Sequence, residues 1–165
     1  MSSTTPGDAT VTLDEDRSQV AFRRRYGTSG ADLWDAMTSP ERARRWLGAL
    51  HGDLRVGGTY ELRMGEDRPD ADDVAHGEVL RCEAPRLLEL TWRFPGEAQS
   101  HVRVTVSDDG ELVMVHSGLE PAAARGYGAG WHVVLDQLED HAGHRAVRPW
   151  DELWAVHAPR YGATG

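Results

Sequence analysis

The sequence predicts an α+β domain: a curved antiparallel sheet closed on one side by a single long helix. Three observations carry this. Between about residues 52 and 119 apolar side chains alternate with polar ones, the period of a half-buried strand. Turn signals such as Gly57-Gly58, Pro85 and Asp108-Asp109-Gly110 break that stretch into short antiparallel segments. From Pro121 to His141 the period changes to helical, with Tyr127, Trp131, Val134, Leu135 and Leu138 on one stripe. An antiparallel sheet with one apolar face needs a cover, and this amphipathic helix supplies it.

The elements follow in order. Residues 1–17 are rich in Ser, Thr, Asp and Glu and read as a disordered N-terminal arm. Gln19 to Tyr26 reads as a first strand ending in Arg23-Arg24-Arg25; a basic run at a strand end is expected to be solvated near acidic neighbours. Two short helices come next. Ser29 caps the first, with Asp32 completing a capping box. Ser39-Pro40-Glu41 starts the second, with Pro at its first helical position. In the strand Thr59 to Met64, Tyr60, Leu62 and Met64 share a face. Val74 to Cys82 is a strand whose inward parity stays open: His76, Leu80 and Cys82 fall on one side, Ala75, Gly77 and Val79 on the other. Leu88, Leu90, Trp92 and Phe94 share one face, as do Val102, Val104 and Val106, and then Leu112, Met114 and His116. The domain is expected over 18–145, followed by a tail over 146–165 with a short Trp-containing segment.

Composition bounds the function. The 165 residues suit one domain with a sizeable core. A formal net charge of −9 disfavours nucleic acid and anionic membrane surfaces as partners. Cys82 is the single cysteine, which excludes an intramolecular disulfide and a thiolate metal cluster. The sequence shows neither a membrane-length apolar run nor a signal-like N-terminus, so a cytoplasmic location is expected.

Several polar constellations invite chemistry. Gly126-Tyr127-Gly128-Ala129-Gly130 superficially looks like a dinucleotide loop, but the tight strand-to-helix turn and the later acidic residue are missing. The glycines are expected to let the helix entry approach the sheet, and no cofactor is expected. His132, Asp136, Asp140, His141 and His144 spread over different helix faces and read as a solvated polar face rather than a metal site. His116 and Ser117, as strand neighbours, point to opposite faces and cannot form a Ser–His pair. By parity His116 itself points toward the sheet–helix interface, as a ligand-orienting group, a general base, or a histidine satisfied by the backbone.

Trp34-Asp35-Ala36-Met37-Thr38, Pro40-Glu41 and Trp46 resemble the opening of AHSA1-like domains of the START-like (SRPBCC) superfamily. Asp53-Leu54-Arg55-Val56-Gly57-Gly58, Gly77-Glu78-Val79 and Pro85-Arg86-Leu87 through Thr91-Trp92 resemble that family's sheet. His116-Ser117-Gly118-Leu119 with Gly126-Tyr127-Gly128 and Gly130-Trp131 is similar to its junction into the last helix. Trp150-Asp151-Glu152-Leu153 resembles a tail of bacterial members. The resemblance spans about 18–158 and implies a helix-grip (START/Bet v 1-like) fold with a cavity between sheet and C-terminal helix. Relatives of this kind bind lipids, hormones or polyketides, some cyclise polyketides, and eukaryotic ones stimulate an Hsp90 chaperone.

The expectation is therefore non-catalytic binding of a small hydrophobic or polyketide-like ligand. Its wall would be Trp46, Tyr60, Met64, Trp92, Met114, Tyr127, Trp131 and Leu135, with Tyr60, His116 or Tyr127 as polar handles. In an aromatase or cyclase, His116 would be the base and Tyr127 a hydrogen-bond donor. Protective sequestration of a reactive natural product and a chaperone-associated role are also compatible with the sequence, and a chaperone or a homodimer partner stays open.

Overall fold

The computed structural model describes residues 10–12, 17–68 and 70–163. Its elements are β1 (Thr10–Thr12), β2 (Ser18–Arg25), α1 (Gly30–Thr38), α2 (Pro40–Ala43), β3 (Ala49–Gly52), β4 (Thr59–Arg63), β5 (Val74–Glu83), β6 (Leu87–Trp92), β7 (Ser100–Val106), β8 (Glu111–Leu119), α3 (Pro121–Ala142) and α4 (Trp150–His157). A 3-10 turn, Ala158–Tyr161, follows α4. The strands form one antiparallel sheet in the order β1-β2-β8-β7-β6-β5-β4-β3. This is the predicted α+β helix-grip architecture, with α3 lying across the sheet.

Register explains how the sheet faces α3. Val102 sits opposite His116, Val104 opposite Met114 and Val106 opposite Leu112, so the apolar parities of β7 and β8 fall on the same face. Phe22 of β2 pairs with Met114, extending that face. Trp131, Val134, Leu135 and Leu138 of α3 pack onto it in a single core with Leu33, Trp46, Tyr60, Leu62, Leu90 and Trp92.

The ambiguous parity of β5 has a physical cause. Ala75 and Val79 are buried while His76 and Leu80 are exposed. A register shift between Val79 and Arg81 then turns Cys82 back against the core, opposite Leu88. Neither parity holds along the whole strand because a bulge interrupts it.

Four expectations need correction. Of the arm expected to be unstructured, Thr10–Thr12 pairs with Gln19–Ala21 as an added edge strand; most of the remaining arm lies outside the described residues. The short strand β3 was not foreseen, because Ala49–Gly52 is too brief to show a period. The arginine run is not uniformly solvated. Arg23 and Arg25 pair at the surface with Glu111 and Asp109, but the Arg24 side chain is buried, 2.8 Å from Asp136 and 2.9 Å from Glu139. At the α1 N-terminus, Ser29 Oγ accepts from the Asp32 amide, but the Asp32 carboxylate bonds Thr28 and Arg42 instead of closing the capping box.

Glycine is required at the β7–β8 hairpin. Gly110 has φ +92°, and a Cβ there would clash with the Thr28 carbonyl. That close packing ties the hairpin to the entry of α1, where the Gly30 amide donates to the Asp108 carbonyl at 3.0 Å.

Candidate ligand cleft

The segment Trp150–Tyr161 folds back along α3, and its tryptophans build one side of a cleft. The tail expected over 146–165 thus contributes structure through α4, with Trp150 and Trp154 stacked at 5.9 Å between ring centroids. The α2–β3 connection with Trp46 stands across from them. The floor comes from the α3 face carrying Gly126, Tyr127, Gly130 and Trp131. Trp92 and the β6–β7 loop, with Phe94 and Glu97, complete the lining of a cleft of about 980 Å³.

Beneath it, between α3 and the sheet, lies a void of about 100 Å³ lined by Tyr60, Met114, Leu135 and other apolar residues. Trp46, Leu47, Trp92, Trp131 and Val134 contribute to both spaces. The structure thus divides the expected wall. Met64 and Tyr127 face the outer cleft, Tyr60, Met114 and Leu135 the inner void, and Trp46, Trp92 and Trp131 stand between them.

His116 takes no part in either lining. It is fully buried, and both ring nitrogens are engaged. Nδ1 accepts from the Trp131 indole N–H at 2.9 Å. An indole nitrogen can only donate, so the imidazole proton resides on Nε2 and is donated to Ser100 Oγ at 2.7 Å. Ser100 Oγ in turn donates to the Trp92 carbonyl at 3.3 Å. Burial, with a smaller contribution from His101, lowers the His116 pKa to about 3. The ring is therefore neutral, oriented and without a free lone pair. In this arrangement neither ring nitrogen of His116 is free for the ligand-handle or general-base roles considered from the sequence. The arrangement also removes the buried Ser100–His116 pair as a nucleophile–base dyad, since the nitrogen facing the hydroxyl already carries a proton.

The polar handles differ from those expected as well. Tyr60 donates to the Thr91 carbonyl at 2.6 Å, so its hydroxyl is spent inside the sheet, and burial raises its pKa. Tyr127 accepts from the Trp92 indole at 2.9 Å and donates to Glu97 Oε1. Burial and then the Glu97 carboxylate raise the Tyr127 pKa, keeping the phenol protonated. Trp92, His116, Tyr127 and Trp131 meet edge to face, with ring centroids 4.5–6.4 Å apart. Glu97 escaped the sequence reading because it sits in a polar loop with no period to mark it.

A second polar cluster locks the C-terminal segment to α3. His132, Asp136 and Asp140, expected on a solvated face, are buried. His157 Nε2 lies 2.7 Å from Asp136 Oδ2 and stacks on His132 at 3.7 Å. Tyr161 Oη lies 2.9 Å from His132 Nδ1. Arg148 bonds Asp140 through both its backbone and its side chain. His132, Asp136 and His157 offer ligand atoms within 4.8 Å of one another. The Arg24 guanidinium already offsets the Asp136 charge, and that of Arg160 lies 3.2 Å from His157 Nδ1, so the one carboxylate of the cluster has a cation of the chain itself as its partner. Of the α3 glycines, Gly128 serves the same docking. A Cβ on Gly128 would stand 2.9 Å from the Tyr161 ring, so the close approach it permits is to the tail, not to the sheet as expected.

Comparison with known proteins agrees with this architecture. The family model described as activator of Hsp90 ATPase homolog 1-like protein (AHSA1) matches residues 28–143. The chain belongs to the AHSA1 family. No curated protein matches it. Among solved structures, this AHSA1 domain is similar to CalU16 from Micromonospora echinospora, with 26% identity over 94% of this chain and 95% of that one, TM-score 0.75. It is also similar to the BPP1335 protein of Bordetella parapertussis, with 27% identity over 98% and 93% of the two chains, TM-score 0.68. DynU16, a protein of the dynemicin biosynthetic locus, shares the fold at 20% identity over 82% of this chain and 50% of that one, TM-score 0.70. Among the described residues, no helix is long and apolar enough to cross a membrane.

Proposed function

We propose that this AHSA1 domain binds a flat, largely apolar small molecule in the cleft between α3, α4 and the sheet, without turning it over. The observation that carries the reading is the cleft itself. Trp46, Trp92, Trp131, Trp150, Trp154 and Tyr127 surround a space of about 980 Å³, at the upper end of ordinary ligand pockets. Indole and phenol faces recognise aromatic or conjugated ring systems by dispersion and offset stacking. Gly126 and Gly130 leave the floor open for such a ring to lie along α3.

The absence of turnover rests on the hydrogen bonds. His116 is neutral and saturated, and the Tyr127 proton is committed to Glu97. Neither group is free to serve as the acid or base an aromatase or cyclase mechanism would draw from them. The place of DynU16 in the dynemicin biosynthetic locus makes natural products with aromatic rings the first compounds to screen, for binding and for protective sequestration alike.

Native mass spectrometry after gentle purification, looking for a retained small molecule, tests the reading directly. Gly126→Leu supplies the matching control. A Cβ at Gly126 meets nothing within 4 Å, so a leucine side chain starts from open space and takes up part of the cleft floor. The retained mass is expected on the normal protein and absent from the variant. A ligand retained equally by both would place binding elsewhere.

A further inference from the structure

We infer that Glu97 is the polar anchor of the cleft: with one oxygen it holds the Tyr127 hydroxyl, and with the other it accepts a hydrogen bond from a hydroxyl group on an aromatic ligand. The inference rests on the cleft reading and adds the ligand's chemistry to it.

The direction of the hydrogen bonds decides which group meets the ligand. The Trp92 indole N–H donates to the Tyr127 oxygen at 2.9 Å. Tyr127 passes its own proton to Glu97 Oε1. The phenol thus has no donor left for a ligand, and the chain of bonds ends on a carboxylate at the cleft wall. Its Oε2 carries no hydrogen bond from a described residue. The Glu97 amide bonds the Phe94 carbonyl at 3.0 Å, which fixes the turn that presents the side chain.

The other charged groups along the cleft are less suited. Arg45 pairs with Glu41, and Asp67 is held by His51 and Arg63. Arg44 and Asp73 are not tied to the aromatic wall by a hydrogen bond, whereas Glu97 is oriented by one. A carboxylate set among rings favours a neutral donor, because an O–H···O⁻ bond there is short and strong. It repels an anion. A ring lying against Trp92 and Tyr127 with a hydroxyl at its edge satisfies both surfaces at once.

The test uses three naphthalene probes on the full chain, followed by calorimetry or fluorescence. 2-Naphthol carries the donor, 2-methoxynaphthalene lacks it, and 2-naphthoate replaces it with an anion. The normal protein is expected to bind 2-naphthol about 10-fold more tightly than the methyl ether, the scale of one hydrogen bond to a charged acceptor, and to reject 2-naphthoate. Glu97→Gln should erase most of the preference while still binding both neutral probes. Tyr127→Phe, which removes the bond that orients the carboxylate, should narrow the preference without abolishing it. Equal affinity of the normal protein for 2-naphthol and its ether overturns the role of Glu97 and leaves the cleft reading standing. Binding unchanged in Gly126→Leu, or binding of neither neutral probe, overturns both.

Discussion

The indole N–H of Trp131 donates to Nδ1 of His116 across 2.9 Å of buried space. This bond joins the middle of α3 to the end of β8, and it decides the chemistry of the histidine. A ring that accepts at Nδ1 and donates at Nε2 cannot take a second proton without breaking the bond to Trp131. The two groups form a structural strut beneath the cleft, and the wall residue Trp131 is positioned through it.

The strut makes stability depend on pH. Burial, followed by His101, lowers the His116 pKa from the usual 6.5 to about 3. Between those values the unfolded chain binds a proton that the native ring refuses. Stability therefore rises with pH across this window and is lost as pH falls below about 6.5. One such group contributes at most about 1.4 kcal/mol per pH unit. Thermal melts of the normal protein from pH 7 to 4 should fall more steeply than those of His116→Gln, whose amide can accept from Trp131 and donate to Ser100 but does not titrate. Parallel curves would show that His116 is not the titrating group.

Truncating the other end of the strut should be costly for two reasons. Trp131→Ala removes a buried large aromatic, worth about 3–5 kcal/mol, and leaves His116 Nδ1 without its donor. Trp131→Phe retains most of the packing, so its expected loss of about 1–3 kcal/mol is chiefly that of an unsatisfied buried acceptor. Chemical denaturation of both variants separates the two contributions. A loss under about 1 kcal/mol in Trp131→Ala would show that α3 is not anchored there.

Periodicity made much of this architecture legible. Tyr60 and Leu62, Leu88 and Leu90, Leu112 and Met114, and the Trp131–Leu138 stripe all face the core where their spacing places them. The residues expected to form the aromatic wall line two adjoining spaces, but parity says which face a side chain takes and nothing about what it meets there. His116 was correctly sent inward, yet its saturation by Trp131 and Ser100 depends on residues 15 and 16 positions away on other elements. The bulge in β5 defeated a period-2 reading because it changes parity mid-strand. Arg24 and Asp136 look like surface charges in sequence. Their pairing becomes visible only when β2 and α3 are brought together.

That buried pairing supports a prediction for the tail. Burial opposes ionisation of Asp136, but the His157 hydrogen bond and then Arg24 outweigh it and hold its pKa below the ordinary value. A depressed carboxyl contributes stability above its unfolded pKa and loses it as pH falls through the folded one. Asp136→Asn should cost about 3–5 kcal/mol, the range for breaking a buried ion pair on one side, because Arg24 is left buried without its full counter-charge. The effect should also be local. Hydrogen exchange in Trp150–His157 should accelerate more than in β7 or β8. Uniform acceleration would mean that the cluster supports the whole fold and does not selectively dock α4.

Two glycines, one helical half-turn apart on α3, should respond in opposite directions to the same substitution. Gly126 faces the cleft, and a Cβ there meets nothing within 4 Å. Gly126→Ala therefore costs no packing and gains helix propensity, an expected stabilisation of about 0.5–1 kcal/mol. Gly128 is buried, and its Cβ would stand 2.9 Å from the Tyr161 ring and 3.2 Å from a second ring atom. The ring is held on its far side by the hydroxyl contact to His132, so it cannot retreat without disturbing that contact. Gly128→Ala should thus lose about 1–3 kcal/mol from overpacking, offset in part by the same helical gain. Thermal melts of the two variants side by side read the difference directly. Stabilisation by Gly128→Ala would show that Tyr161 is loosely seated, and that the C-terminal turn does not form a fixed support for the cleft.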